Sequence, residues 1–283
     1  MRLSIEDDCI PDRITHNVAP IREGKVKAAS QEPPAGASEF PEPCQIGGGP
    51  QAQEGGAQVA MIGSCRDADL YPHDVQLFRE GQWLNSSCIN YCLRLLEESY
   101  HSRMGSDAAA AFLNGVLTMD PTVVHFLRAH CEDEEDFEQL AIDTSMREKT
   151  WVLLPINNND SPVESTSCSH WSLLVVRCDR GESYHIDSSN RLNSEAAMKT
   201  SKVLEKVLKR SITCSDVASA PQQMNGNDCG VYVILYVQTI LACLCGERGF
   251  VCKTIGDIEN EMKVNIKSSS ANVYRSLMCN MFK

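Results

Sequence analysis

Cys229 closes the stretch Pro221-Gln222-Gln223-Met224-Asn225-Gly226-Asn227-Asp228-Cys229-Gly230 and opens an apolar run carrying Val231, Ile234, Leu235, Ile240, Leu241 and Leu244. That period predicts a helix from Cys229 to about Gly246, with Asn225-Gly226 as the turn and Asp228 as the N-cap. A thiol in the first turn faces orphan N–H groups and the positive end of the helix dipole, which favour the nucleophilic thiolate. The chemistry such a thiol offers is covalent acyl transfer. It needs an imidazole to move the proton, a group to orient that imidazole, and donors for the oxyanion.

Residues of each type are present. His170 and Asp187 fall at the edges of two predicted strands joined by a short turn, so seventeen residues of separation still allow contact, and the carboxylate can fix the imidazole tautomer. Gln223, six residues before Cys229, can aim an amide N–H where the Cys229 backbone N–H also points. His185 is a rival base, two residues before Asp187 and on the same strand face. The residues alone leave the choice of histidine open, and they leave Asp187 readable as a turn former before Ser188-Ser189-Asn190.

Positioning these groups requires a sheet and helices. Ile89, Cys92, Leu93 and Leu96 predict a helix over about 86–99, capped from Asn85, Ser86 or Ser87. Further helices are expected near 107–117, 121–130 with Pro121 in its first turn, and 136–142. The runs 150–156 and 171–176 read as central strands on either side of a polar loop, and 183–187 follows the turn Asp179-Arg180-Gly181. A helix over 194–209, a strand at about 211–217 and helical sequence from 257 to 282, broken at Ser268-Ser269-Ser270, complete the reading. Helices first, then a sheet interleaved with helices, predict an α+β fold with the cysteine helix packed on the sheet.

Composition sets the bounds. Residues 1–66 hold seven of the twelve Pro and eight of the seventeen Gly but one aromatic, Phe40, so this segment reads as a disordered tail and 67–283 as one domain. A net charge of −12 disfavours nucleic acid and anionic membrane as partners and suits a partner with a basic tail. The densest acidic run, Glu132 to Asp136, reads as a solvated helix start. No run reaches the roughly 20 apolar residues of a membrane span, and the N-terminus lacks the apolar core of a signal peptide. An intracellular protein, in cytoplasm or nucleus, is expected, with its fourteen cysteines reduced. Zinc is not expected: Cys243 and Cys245 diverge on one helix, and the chain contains no C-x-x-C pair.

Trp83-Leu84-Asn85, His170-Trp171, Asp187-Ser188 and Gln222-Gln223-Met224-Asn225-Gly226-Asn227-Asp228-Cys229-Gly230, in that order, resemble the Ulp/sentrin-specific family of ubiquitin-like-modifier proteases over about 67–245. The resemblance implies a papain-like cysteine protease fold with the adenain-like order His, Asp, Cys. By it His170 is the base, Asp187 its partner, Gln223 the oxyanion donor and Cys229 the nucleophile. It further implies that Trp83 and Trp171 form the lid and wall of a tunnel admitting only the Gly-Gly end of a modifier, a specificity by exclusion. Ser86 departs from the Asp that usually follows Trp-Leu-Asn and helps engage the modifier.

Two branches of the family compete. The spelling Pro221 to Gly226 is closer to the SUMO-processing branch. The stretches 151–157, 170–175 and 187–194, and the short Asp187 to Cys229 spacing, resemble the deneddylase branch, which is the preferred reading. The expected protein is a monomeric thiol protease with no metal or organic cofactor, cutting the peptide or isopeptide bond after the modifier's last Gly. A catalytically idle modifier-binding module is the competing class, and a binder has no use for Gln223 or for a base beside the thiol.

Overall fold

Residues 60–103, 115–159, 169–245 and 254–283 are described by the computed structural model. A hairpin of β1 (Gly63–Cys65) and β2 (Ala68–Leu70) leads into the short helix α1 (Pro72–Gln76) and the long helix α2 (Ser86–Arg103). At the hairpin turn Arg66 reaches Glu97 at 2.9 Å and Glu98 at 3.0 Å on α2. The tail boundary expected at about residue 66 therefore falls inside a paired hairpin, while residues 1–59 lie outside the described residues.

Next come β3 (Val116–Thr118), α3 (Pro121–Ala129) and α4 (Glu134–Thr144). The helix expected over 107–117 is corrected at its end: Val116–Thr118 is a strand paired in parallel with the strand at 151–157. Three residues are too few for a period to be read, and the neighbouring strand decides their state. Residues 107–114 of that expectation lie outside the described residues. α3 opens as expected, with Pro121 in the first turn and the Asp120 carboxylate accepting the Thr122 N–H at 2.6 Å. α4 is longer than the expected 136–142 because Asp133 accepts the Asp136 N–H at 3.0 Å and starts the helix earlier. Glu134, Glu135 and Asp136 of the acidic run thus form the first turn of α4, where negative charge suits the helix dipole.

The centre is formed by β4 (Trp151–Asn157), β5 (Trp171–Arg177), β6 (Glu182–Ile186) and β7 (Thr213–Asp216), with α5 (Ser194–Leu208) before β7 and α6 (Cys229–Leu244), α7 (Ile255–Asn265) and α8 (Ser270–Met281) after it. The sheet order is β3-β4-β5-β6-β7, antiparallel in the middle and parallel at both outer pairs. Every residue of β4 and β5 is buried. Trp151, Leu153, Leu173 and Val175 face a core built with α2 and α6, while Val152, Leu154, Leu174 and Val176 face one built with α3, α4 and α5. Two covered faces explain why these strands read as unbroken apolar runs. The β5–β6 turn depends on Gly181, whose φ of +66 is joined by a Ser211 carbonyl only 2.5 Å from where a Cβ would sit.

α6 is buried on all sides, against β5, α2, α7 and α8. Its second residue must be small: a Cβ on Gly230 would lie 3.0 Å from the Leu84 Cβ. The segment carrying Trp83 and Leu84 therefore rests directly on the first turn of the cysteine helix.

Candidate active site

The strand register brings the histidine and the aspartate together. Leu173 of β5 lies opposite Ile186 of β6, so His170, just before β5, and Asp187, just after β6, emerge at the same end of the sheet. His170 Nε2 and Asp187 Oδ1 are 2.6 Å apart, with both residues buried. The same carboxylate accepts the Ser189 N–H at 2.7 Å and the Asn193 N–H at 3.0 Å. The intervening loop can turn both amides inward because Asn190 and Arg191 take left-handed φ values of 49° and 64°. Burial disfavours the charged carboxylate, but the imidazole and these two N–H groups outweigh it and hold Asp187 below the usual range.

The imidazole also bonds to the Cys229 sulfur. With Nε2 committed to Asp187, Nδ1 is the ring atom that serves the thiol. Burial would lower the basicity of His170, yet its bonds to Asp187 and Cys229 prevail and raise it to about 9. An imidazole, a carboxylate and a thiol at the first residue of α6 thus form one connected line.

His185 has a different environment. Its Nδ1 lies 2.7 Å from Asp216 and its Nε2 3.0 Å from the Ser172 hydroxyl, so both ring nitrogens are occupied away from the sulfur. It sits behind Asp187, 3.7 Å from Oδ2, as part of the support of the carboxylate. The structure therefore separates the two histidines that the residues alone leave equivalent.

The loop before Cys229 is tied to the Asp187 loop. Gln223 donates its backbone N–H to the Ser188 carbonyl at 2.9 Å and accepts the Ser188 hydroxyl at Oε1, 2.6 Å, while Nε2 donates to the Asn225 carbonyl at 2.6 Å. Nε2 carries a second hydrogen besides the one given to Asn225. Gln222 adds a bond to the Asp187 carbonyl at 2.9 Å, and the Tyr232 and Tyr236 hydroxyls of α6 hold the Gln222 and Pro221 carbonyls at 3.0 and 2.5 Å.

Two local expectations are corrected. The turn depends on the Asn225 side chain, whose Oδ1 accepts the N–H groups of Asn227 and Asp228 at 3.1 Å each; Gly226 has no left-handed φ. Asp228 stands at the N-cap position but makes no side-chain cap bond. Its carboxylate is taken by the Arg275 Nε at 2.8 Å and the Asn225 Nδ2 at 2.8 Å. A buried cation from a distant helix outcompetes the helix's own amides for that oxygen.

Of the two tryptophans, Trp83 is 48% exposed and Trp171 is 5% exposed. Trp171 reaches the Trp83 segment through its indole N–H, which donates to the Leu84 carbonyl at 3.0 Å. Ser86 opens α2, and Asn85 caps that helix by accepting the Cys88 N–H at 2.9 Å while donating to Asp74 at 2.7 Å. Sequence reasoning missed Asn193, Ser188 and Arg275. The Asn193 Nδ2 donates to the His170 carbonyl at 3.2 Å and to Ser172 at 3.1 Å. Among the described residues no group of three or more His, Cys, Asp or Glu is arranged to hold a metal ion, and no helix is long and apolar enough to cross a membrane.

The chain is 29% identical over 198 residues to the probable sentrin-specific protease 8 of Dictyostelium discoideum, covering 66% of this chain and 78% of that one. It is 26% identical over 216 residues to NEDD8-specific protease 2 of Schizosaccharomyces pombe, covering 75% of this chain and about half, 49%, of that longer relative. A crystal structure of a de-sumoylating protease superposes with a TM-score of 0.55 at 16% identity, over 76% of this chain and 85% of that one, and so shares the fold. The model of the Ulp1 protease family, C-terminal catalytic domain, matches residues 82–267, a span that holds His170, Asp187, Gln223 and Cys229. This chain belongs to the Ulp1 protease family and is a cysteine peptidase directed at ubiquitin-like modifiers.

Proposed function

We propose that the protein hydrolyses the peptide or isopeptide bond after the C-terminal glycine of a Nedd-type ubiquitin-like modifier, with Cys229 as nucleophile, His170 as base, Asp187 as its orienting acid and Gln223 as oxyanion donor. The observation that carries the reading is the imidazole of His170 held between Asp187 at 2.6 Å and the sulfur at the N-terminus of α6. The thiolate adds to the scissile carbonyl, forming the C–S bond, and the negative charge moves to the carbonyl oxygen. The Gln223 Nε2 and the Cys229 N–H receive that charge. Imidazolium His170 then gives its proton to the departing amine as the C–N bond breaks. Water, deprotonated by the same imidazole, releases the acyl group and restores the thiol.

Trp83 covers the last residues of the modifier, and Trp171 acts from beneath by holding the Leu84 carbonyl. The Nedd-type reading draws support from the spelling of 151–157 and 187–194 and from the name of the fission-yeast relative. The spelling Pro221 to Gly226 supports the SUMO-type alternative. Vinyl-sulfone probes built on each modifier distinguish them. The expected result is covalent labelling by the Nedd-type probe, lost in Cys229→Ser. Preferential labelling by the SUMO-type probe reverses the modifier assignment, and labelling by neither leaves the idle-binder reading standing.

A further inference from the structure

Arg275 of α8 is a guanidinium only 2% exposed, and all five of its N–H bonds are used. Nε donates to Asp228 Oδ1 at 2.8 Å, and Nη2 to the Asn227 carbonyl at 3.0 Å, both in the turn that ends at Cys229. Nη2 also donates to the Gln82 carbonyl at 2.7 Å, and Nη1 to those of Leu77 and Arg79 at 3.0 and 2.9 Å, all in the segment that carries Trp83. One planar group thus joins two loops that lie 193 and 48 residues before it in sequence. Leu77, Arg79 and Arg275 lie outside the span matched by the family model, 82–267.

The other side of Trp83 is fixed as well. The Leu84 carbonyl accepts the Trp171 indole N–H at 3.0 Å, and Trp171 directly follows His170. The two carbonyls flanking Trp83 are therefore anchored separately, Gln82 through Arg275 to the cysteine turn and Leu84 through Trp171 to the histidine strand. A rigid, fully satisfied cation of this kind sets geometry, because five fixed donors accept only one arrangement of the surrounding carbonyls.

We infer that Arg275 is a positioning residue that locks the Trp83 segment to the turn before Cys229, so that the cover over the substrate's C-terminus and the nucleophile keep one register. The inference rests on the proposed roles of Cys229 and Trp83. Its test is Arg275→Lys in the full chain, since an ammonium keeps the charge but cannot reach five acceptors. Amides in 77–85 and in 225–230 are expected to exchange faster together, by about tenfold or more, while those of β4 and β5 keep their wild-type rates. On a folded modifier bearing a C-terminal fluorogenic amide, kcat/KM per folded molecule falls about tenfold or more through misplacement of the scissile bond, while alkylation of Cys229 by iodoacetamide changes by less than about threefold.

A merely structural role lowers thermal stability and leaves kcat/KM per folded molecule at the wild-type value; that result overturns the inference, as does loosening of one segment alone. If Arg275→Lys does not fold, Asp228→Asn keeps the four carbonyl bonds and weakens the charged link together with the bond from Asn225 Nδ2, so that loosening of 77–85 is the half that reports on Arg275. The same two segments must then loosen together, to a smaller extent, or the inference fails. A wild-type protein that cleaves no modifier refutes the proposed function, and the exchange measurement still decides the coupling.

Discussion

Two buried histidines, each paired with an aspartate, lie at one end of the sheet, and only one of them meets a thiol. His170 with Asp187 and His185 with Asp216 are almost equal in distance, 2.6 and 2.7 Å, and both imidazoles are buried. The difference is in the second nitrogen. That of His170 serves the Cys229 sulfur, whereas that of His185 is bound to the Ser172 hydroxyl at 3.0 Å. A buried imidazole with a carboxylate partner is therefore not by itself a catalytic base. What makes it one is a ring nitrogen directed at a group that reacts.

The strongest way to break this comparison is to delete each member in turn. Cys229→Ala removes turnover on a modifier amide altogether, and His170→Ala lowers kcat/KM by about 10²–10⁴-fold, as expected for loss of a general acid–base group. If His185→Ala abolishes turnover and His170→Ala does not, the roles are reversed. Gln223→Ala is expected to lower kcat by about 10²–10³-fold, measured with KM on the same substrate, because the lost hydrogen bond matters most once charge is on the oxygen.

His185→Ala belongs to the other class of effect. It removes one of the hydrogen-bond partners of Asp216 and of Ser172 and is expected to lower the unfolding free energy in urea by about 1–3 kcal/mol, with turnover per folded molecule reduced far less than in His170→Ala.

The smallest effect is a titration. The His170 midpoint, followed by NMR, is expected near 9 in the wild type and lower in Cys229→Ala, since the sulfur is one of the two partners that raise it. A raised value means that the folded state binds the proton more tightly than the unfolded chain does. The stability His170 contributes is then complete below its ordinary value of 6.5 and is lost as pH rises through about 9. The gap in Tm between wild type and His170→Gln should narrow across that window; a gap that widens has the sign wrong. Asp187 works in the opposite direction, its contribution being present above the usual value of 3.8 and lost as pH falls through its lowered one.

The sheet strands were legible because both of their faces are buried, and the cysteine helix because it is apolar on every side with a turn before it. β3 was not, because Val116–Thr118 is a strand only by virtue of pairing with β4. Asp228 was misread as a side-chain cap for a similar reason: its competitor, Arg275, lies 47 residues further along the chain. Asn193 carried no signal of its own, since it acts on Asp187 through a backbone N–H that any residue possesses.

By itself the sequence determined the residue types of the site, their order along the chain and the family motif, because local period, turn chemistry and short-range spacing are written in neighbouring residues. Only the tertiary structure decided which imidazole faces the sulfur and which cation holds the cysteine turn. Those choices depend on hydrogen bonds between residues far apart in the chain, whose directions are set by strand register and helix packing rather than by local sequence.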